Sequence, residues 1–205
     1  MKTWITADSH YMHANICIYC NRPWQQPSDF YVDDTGKQHW VNYDIAQRRA
    51  REMTEALIAN HNSVVGKTDL VYHLGDYMFG REDAEFDAIF NRLNGKFIFI
   101  KGNHDKLAAK NRHKFHEYHH SGLLETVIEG QAVVLCHYAM KTWNRAHHGS
   151  WHLYGHSHGT LPEDPNSLSF DVGVDCHEYF PWSWEQIKTK MAKKTFKPLD
   201  HHGAE

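Results

Sequence analysis

Asp69-Leu-Val-Tyr-His-Leu-Gly-Asp76 and Lys96-Phe-Ile-Phe-Ile-Lys-Gly-Asn-His-Asp105 decide the fold. Each is a short apolar run that stops at a glycine, followed at once by a side chain able to do chemistry. Such runs, bounded by turn residues, suit strands buried on both faces. Between them, Arg81 to Asn94 places Phe86, Ile89, Phe90 and Leu93 at i, i+3, i+4 and i+7, the pattern of a helix with one buried face. Gly95 is placed to end that helix. Strand, helix and strand in succession make a crossover between parallel strands, with the helix on one face of a sheet.

The same signals recur on either side. Thr3 to Ala7 is a first strand, and Asp44 to Asn60 a helix with Ala46, Ala50, Met53 and Leu57 on one stripe. Later, Glu125 to Ile128 and Gln131 to Cys136 flank Glu129-Gly130, a hairpin turn. Leu153-Tyr154 and Ser169 to Val174 are further short strands, and Ser183 with Gln186 forms a capping box on the closing helix. A long connection from Asn21 to Tyr43 carries Trp24, Phe30, Tyr31 and Trp40, with Asp34-Thr35-Gly36 able to turn a hairpin. Connections of this length are functional loops or excursions. Either it borders a cleft, with Trp24 or Trp40 free to stack on a ring, or its aromatics cover the domain's own core.

A length of 205 residues suits a single domain over 1–205. Hydrophobic content of 41% and charged content of 23% are ordinary for a globular chain. The longest apolar runs, such as Ala132 to Cys136, are about five residues, against the roughly 20 that cross a membrane. The first residues lack the apolar stretch of a signal peptide, so the expected location is cytoplasmic, with no membrane partner. A net charge of -3 without a basic tract makes long nucleic acid an unfavoured partner. Four cysteines are too few and too scattered for a zinc ribbon, and Cys17 and Cys20 read as small apolar residues. The outlying number is 19 histidines, which invites a search for a metal site. The tail Asp200-His-His-Gly203 is too short to be a purification tag.

Histidines and carboxylates follow the apolar strands directly. Asp8-Ser9-His10 follows the first, Gly75-Asp76 the second and Gly102-Asn103-His104-Asp105 the third; His137 follows the hairpin strand, and Gly155-His156-Ser157-His158 follows Leu153-Tyr154. Strand carboxyl ends form the ligand crevice of open α/β sheets, so the five segments can converge. D-x-H and H-x-H put two side chains on one side of an extended backbone, within reach of a shared centre. With 19 histidines, any one of these motifs can arise by chance; their joint order is the signal.

That ordered set resembles the calcineurin-like metallophosphoesterases, whose pattern is D-x-H, G-D, G-N-H-D/E, a lone His and G-H-x-H. Here it spans residues 8 to 158. The resemblance implies an α/β fold of the small single-domain type, a two-sheet β-sandwich flanked by helices (αββα). It also implies two metal ions at the sheet edges. Asp8, His10, Asp76 and His158 would hold one; Asp76, Asn103, His137 and His156 would hold the other, with Asp76 as bridge. The ions would be divalent or mixed-valence transition metals, Mn, Fe or Zn, with Mn favoured. The implied reaction is phosphoester hydrolysis by in-line attack of a metal-bridging hydroxide. His104 would assist the leaving group, and Asp105 would orient or charge it.

Where the phosphoprotein phosphatases carry G-D-x-x-D-R-G, this chain reads Gly75-Asp76-Tyr-Met-Phe-Gly-Arg81. The acid and arginine of that branch are missing at those places, which disfavours protein phosphatase activity. The expected substrate is a small phosphorylated molecule, a phosphodiester such as a nucleotide or cyclic nucleotide. A broad-scope phosphomonoesterase is the alternative, and a catalytically inactive phosphate- or nucleotide-binding protein a second one. For substrate contacts the sequence offers His13, Asn15 and Arg22, just after the first motif, and Arg145 and His148, just before the last. Asp171 and Asp175 are expected to be structural hydrogen-bond acceptors.

Overall fold

Alternation along the central strands divides their side chains between two apolar layers. Trp4, Val71, Phe97 and Phe99 pack with Met53, Leu57 and Phe86 from helices on one side. Ile5, Tyr72, Ile98 and Ile100 point the other way and pack against Val133, Leu135, Leu153 and Phe170 of a second sheet. A strand needs apolar residues at every position to serve two layers, which is why the runs are continuous.

The computed structural model describes residues 1–197; the histidines at 201 and 202 lie outside them. In chain order the elements are β1 (Thr3–Thr6), α1 (Ala14–Tyr19), β2 (Phe30–Val32), β3 (Gln38–Trp40) and α2 (Tyr43–Val64). Then come β4 (Leu70–His73), α3 (Asp83–Phe90), β5 (Lys96–Ile100), α4 (Lys106–Lys110), β6 (Glu117–His119) and β7 (Leu123–Ile128). The chain continues through β8 (Gln131–Cys136), β9 (Trp151–Tyr154), β10 (Ser169–Asp171), β11 (Trp182–Ser183) and α5 (Trp184–Met191). The first sheet has the order β11-β1-β4-β5-β6, and the second β10-β9-β8-β7. β1, β4, β5 and β6 are mutually parallel, as are β8, β9 and β10. The two sheets meet where Ala7 bridges Gly173, just beyond β1 and β10. This mixed α/β sandwich with flanking helices is the expected architecture. No helix among the described residues is long and apolar enough to cross a membrane.

Local differences have local causes. The expected helix over 81–94 closes at Phe90, because Asn94 leaves it to bind α2: its N–H donates to Asn62 Oδ1 and its amide to the Val65 carbonyl, at 2.8 and 3.0 Å. α2 runs a turn longer than its apolar stripe because His61 stacks on Phe97 and bonds the Asn94 carbonyl at 2.8 Å. The 21–43 connection contains the hairpin β2–β3. Of the two readings of its tryptophans, the packing agrees with the covering one: Trp24 and Trp40 pack on the helix-side core. Trp24 meets Tyr179 edge-on at 4.6 Å, and the Trp40 indole donates to Asn15 Oδ1 at 3.0 Å.

Candidate metal-binding active site

The carboxyl ends of β1, β4, β5, β8 and β9 come together at one rim, tied by backbone bonds from Asp8 to Gly75 and from Gly155 to His137, both 3.0 Å. The loops crowd so closely that a Cβ on Gly102 would lie 2.5 Å from Asp76 Oδ1, and one on Gly155 2.8 Å from Asp8 Oδ2. Glycine is required at both. Asp8, His10, Asp76, His156 and His158 all have positive φ, between 48° and 68°. Non-glycine residues seldom adopt this conformation, and such strain concentrates at functional sites at a cost of about 1–3 kcal/mol each. The D-x-H and H-x-H residues therefore lie on turned backbone, not on the extended backbone that their spacing predicts.

Two groups of side chains result. The ligand atoms of Asp8, His10 and His158 lie within 4.8 Å of one another, and so do those of Asp76, His137 and His156. Asp76 stands between the groups: its Oδ2 is 3.5 Å from His10 Nε2 and 3.6 Å from His137 Nε2. Asn103 joins the second group, with Oδ1 2.8 Å from His137 Nε2. His137 Nδ1 faces the Leu74 carbonyl at 2.8 Å and so must donate there, which leaves the Nε2 lone pair for the site. His158 Nδ1 likewise engages Asp175 Oδ2 at 2.7 Å.

These residues fit a cation. Asp8 Oδ1 and His10 Nε2 are buried with no hydrogen-bond partner, a cost that a positive ion would relieve. Burial pushes the Asp8 carboxyl well above its ordinary range, partly offset by His158. Burial also disfavours charge on His158, yet its bonds to Asp175 and Cys20 and the charge of Asp8 raise it to about 10. Imidazole nitrogen with carboxylate and amide oxygen is a donor set for a divalent metal ion.

Several expected contacts are corrected. Arg22 is fully buried and cannot reach substrate. Its Nε and Nη2 donate to the two Asp175 oxygens at 2.8 and 2.7 Å, and it also bonds the Asp8 carbonyl at 2.7 Å and that of Ser9 at 3.1 Å. It therefore ties the D-x-H loop to the partner of His158. Asp105 does not orient His104. Its carboxylate accepts from the backbone N–H groups of Asp76, Tyr77 and Gly102 at 2.7–2.8 Å, bracing the two central loops. Burial raises it to about 6. Arg145 and His148 are exposed and lie at the wrong end of β9. Because β8 and β9 are parallel, the chain between them returns to the start of the sheet, where Gly149 accepts from Gln131 and Asn144 binds Glu125. Asn15 is exposed and occupied by Trp40.

His13 does border the site. Its Nδ1 is 3.3 Å from His10 Nδ1, its ring stacks on Phe79 at 3.6 Å, and burial lowers it to about 4. His104 is exposed, its backbone N–H donates to Asp76 Oδ1 at 3.0 Å, and its ring centre is 6.1 Å from that of His10. Sequence reasoning missed three supports. Asp175 was foreseen only as a structural acceptor and proves to hold His158. Buried His73 bonds Ser9 Oγ at 2.9 Å and accepts from Gly75, linking two ligand loops. Half-buried Cys20 clusters with His158 and Asp175. The C-x-x-C spacing was the only local hint of the last.

Carboxylate–imidazole groups gathered at the strand ends of a two-sheet sandwich make a candidate metal site. Residues 38–170 match the calcineurin-like phosphoesterase superfamily domain, and the chain belongs to that superfamily, a class of hydrolases acting on phosphate esters. An uncharacterized protein of Methanocaldococcus jannaschii is 30% identical over 201 residues, 94% of this chain and 92% of that one. The crystal structure of a protein of unknown function from Aquifex aeolicus shares the fold, with TM-score 0.62 and 18% identity over 92% of this chain and 98% of that one. An archaeal phosphodiesterase gives TM-score 0.42 and 18% identity over 84% of each chain, too distant to bear on this one.

Proposed function

We propose that the protein is a two-metal phosphodiesterase acting on a small substrate such as a nucleotide or cyclic nucleotide. The observation that carries this reading is Asp76 Oδ2, which stands 3.5 and 3.6 Å from one imidazole nitrogen of each side. One carboxylate oxygen facing both sides is what a shared ligand requires. Asp8, His10 and His158 would hold one ion with Asp76; His137, His156 and Asn103 would hold the other with it, Mn being favoured. When bound, such ions polarise phosphoryl oxygens and lower the pKa of water.

The remaining work falls to the chain. Asp105 fixes the relative position of the Asp76 and Asn103 loops through its three backbone bonds. His104 stands exposed beside them, where its imidazolium can donate a proton. As the phosphorus–oxygen bond to the leaving group breaks, its electron pair stays on that oxygen, which takes the His104 proton. Water supplies the oxygen of the new bond and loses its proton to solvent. With Arg22 consumed by Asp175, no arginine of those expected at the site faces it to neutralise a second phosphate charge, which favours a singly charged diester over a monoester dianion. Four free cysteines suit a reducing, cytoplasmic setting.

The test is reconstitution of metal-free protein with Mn²⁺, Fe²⁺ or Zn²⁺, followed by metal analysis and turnover of bis(4-nitrophenyl) phosphate against 4-nitrophenyl phosphate. Two equivalents and preference for the diester are expected. One equivalent at saturation, or preference for the monoester, would count against it.

A further inference from the structure

Beside His104 the surface opens into a cavity of about 230 Å³. Its walls include Met78, Phe79 and Leu107, and Asn103, His104 and Lys106 supply its polar side. Met78 and Leu107 are buried, so the apolar part belongs to the core and is preformed. Phe79 is half-buried and is held in place by stacking on His13 at 3.6 Å and by its backbone bond to Tyr11 at 2.8 Å.

The charge in this cavity is one-sided. Among the described residues no carboxylate lines it; Glu85, behind the lining Gly80, is taken up by the backbone N–H groups of Arg81 and Glu82 at 2.7 and 3.0 Å. Lys110 and Lys114, further along the same segment, pair with Asp83 and Asp87, whereas exposed Lys106 has no ion-pair partner among the described residues. The size also discriminates. Sites for a whole small ligand measure roughly 300–1,000 Å³, so this one suits a ring-sized portion of a substrate and not a folded partner. Its position gives that portion a role. Asn103 and His104 line the cavity, and Asn103 also reaches the second group through its contact with His137, so the cavity adjoins the rim.

We propose that the cavity receives the leaving group, and that the preferred leaving alcohol bears both a planar ring and a negative charge of its own. A nucleoside monophosphate released from a dinucleotide has that chemistry. Phe79 supplies a face for the ring and Lys106 the counter-charge. This rests on the phosphodiesterase reading above.

The experiment compares a dinucleoside monophosphate with the same molecule carrying an extra phosphate on its leaving nucleoside, with bis(4-nitrophenyl) phosphate as reference. The extra phosphate is expected to raise kcat/KM by about fivefold in the wild type, the size of one partly exposed charge pair. Lys106→Ala should bring that ratio close to one, and Phe79→Leu should raise KM for both nucleoside esters. A second readout needs no metal: calorimetric binding of a nucleoside monophosphate to metal-free protein should weaken about fivefold in Lys106→Ala. Turnover of the reference ester with no preference for the extra phosphate, or a preference that survives Lys106→Ala, overturns the cavity's role alone. Failure to hydrolyse any of the three esters removes the phosphodiesterase reading beneath it.

Discussion

The two carboxylate–imidazole groups at the rim use the same residue types and sit in opposite surroundings. Asp8 and His10 are buried, and His158 is backed by Asp175, which is itself gripped by fully buried Arg22. Across Asp76, His137 is buried, but His156, Asn103 and His104 are exposed. One side is clamped from behind by charge, and the other opens to whatever approaches. The difference teaches that holding and reacting are separable tasks here. On the proposed reading, the clamped side retains its ion through the fold, while the open side exchanges ligands during turnover.

Asp76→Asn is the severest test, because that carboxylate belongs to both sides. Nearly all turnover and tight binding of both metal equivalents should vanish, as followed by elemental analysis and kcat. Full retention of one equivalent would mean that the sides do not share it. His104→Ala touches only the open side. It should lower kcat by about 10²–10⁴ with metal content unchanged, and the loss should shrink for a nitrophenoxide leaving group, which needs no proton. Equal losses for all leaving groups would remove His104 from the acid role.

Arg22→Met probes the clamp. It leaves Asp175 buried beside one fewer cation and should cost about 3–5 kcal/mol in denaturant unfolding. Arg22→Lys keeps a charge and loses the fork, so it should fold and bind one metal equivalent weakly, the other normally. Asp175→Asn is the mildest. It should weaken one equivalent by about 10–100-fold in a metal titration, the usual cost of losing a ligand's own hydrogen-bond partner. Two equivalents weakened alike would erase the distinction between the sides.

What could be read from the chain is what is local. The apolar runs ending in Gly75-Asp76 and Gly102-Asn103 carry their meaning within a few residues, so the strands, the crossover and the gathering of the motifs were all legible. The misread residues answer to partners far along the chain. Arg22 meets Asp175 across 153 positions, and Asp105 meets the backbone of Asp76 across 29. Nothing in Arg22-Pro23 or in His104-Asp105 announces those partners. Arg145 and His148 were misplaced for a topological reason: nearness in sequence to His156 says nothing of side once β9 must be re-entered from its far end. The Trp24 and Trp40 rings could be covering or binding by composition alone, and only the packing decides.

The left-handed backbone at five of the rim residues also bears on how this protein can be improved by selection. At exposed His156, φ is +68°, a conformation glycine adopts without penalty. A search that rewards heat resistance alone would be drawn to glycine there, because relief of strain is gained at once and the metal ligand lost, on the proposed reading, goes unscored. The rim is thus a place where the fold's durability and its usefulness pull on the same atoms in opposite directions.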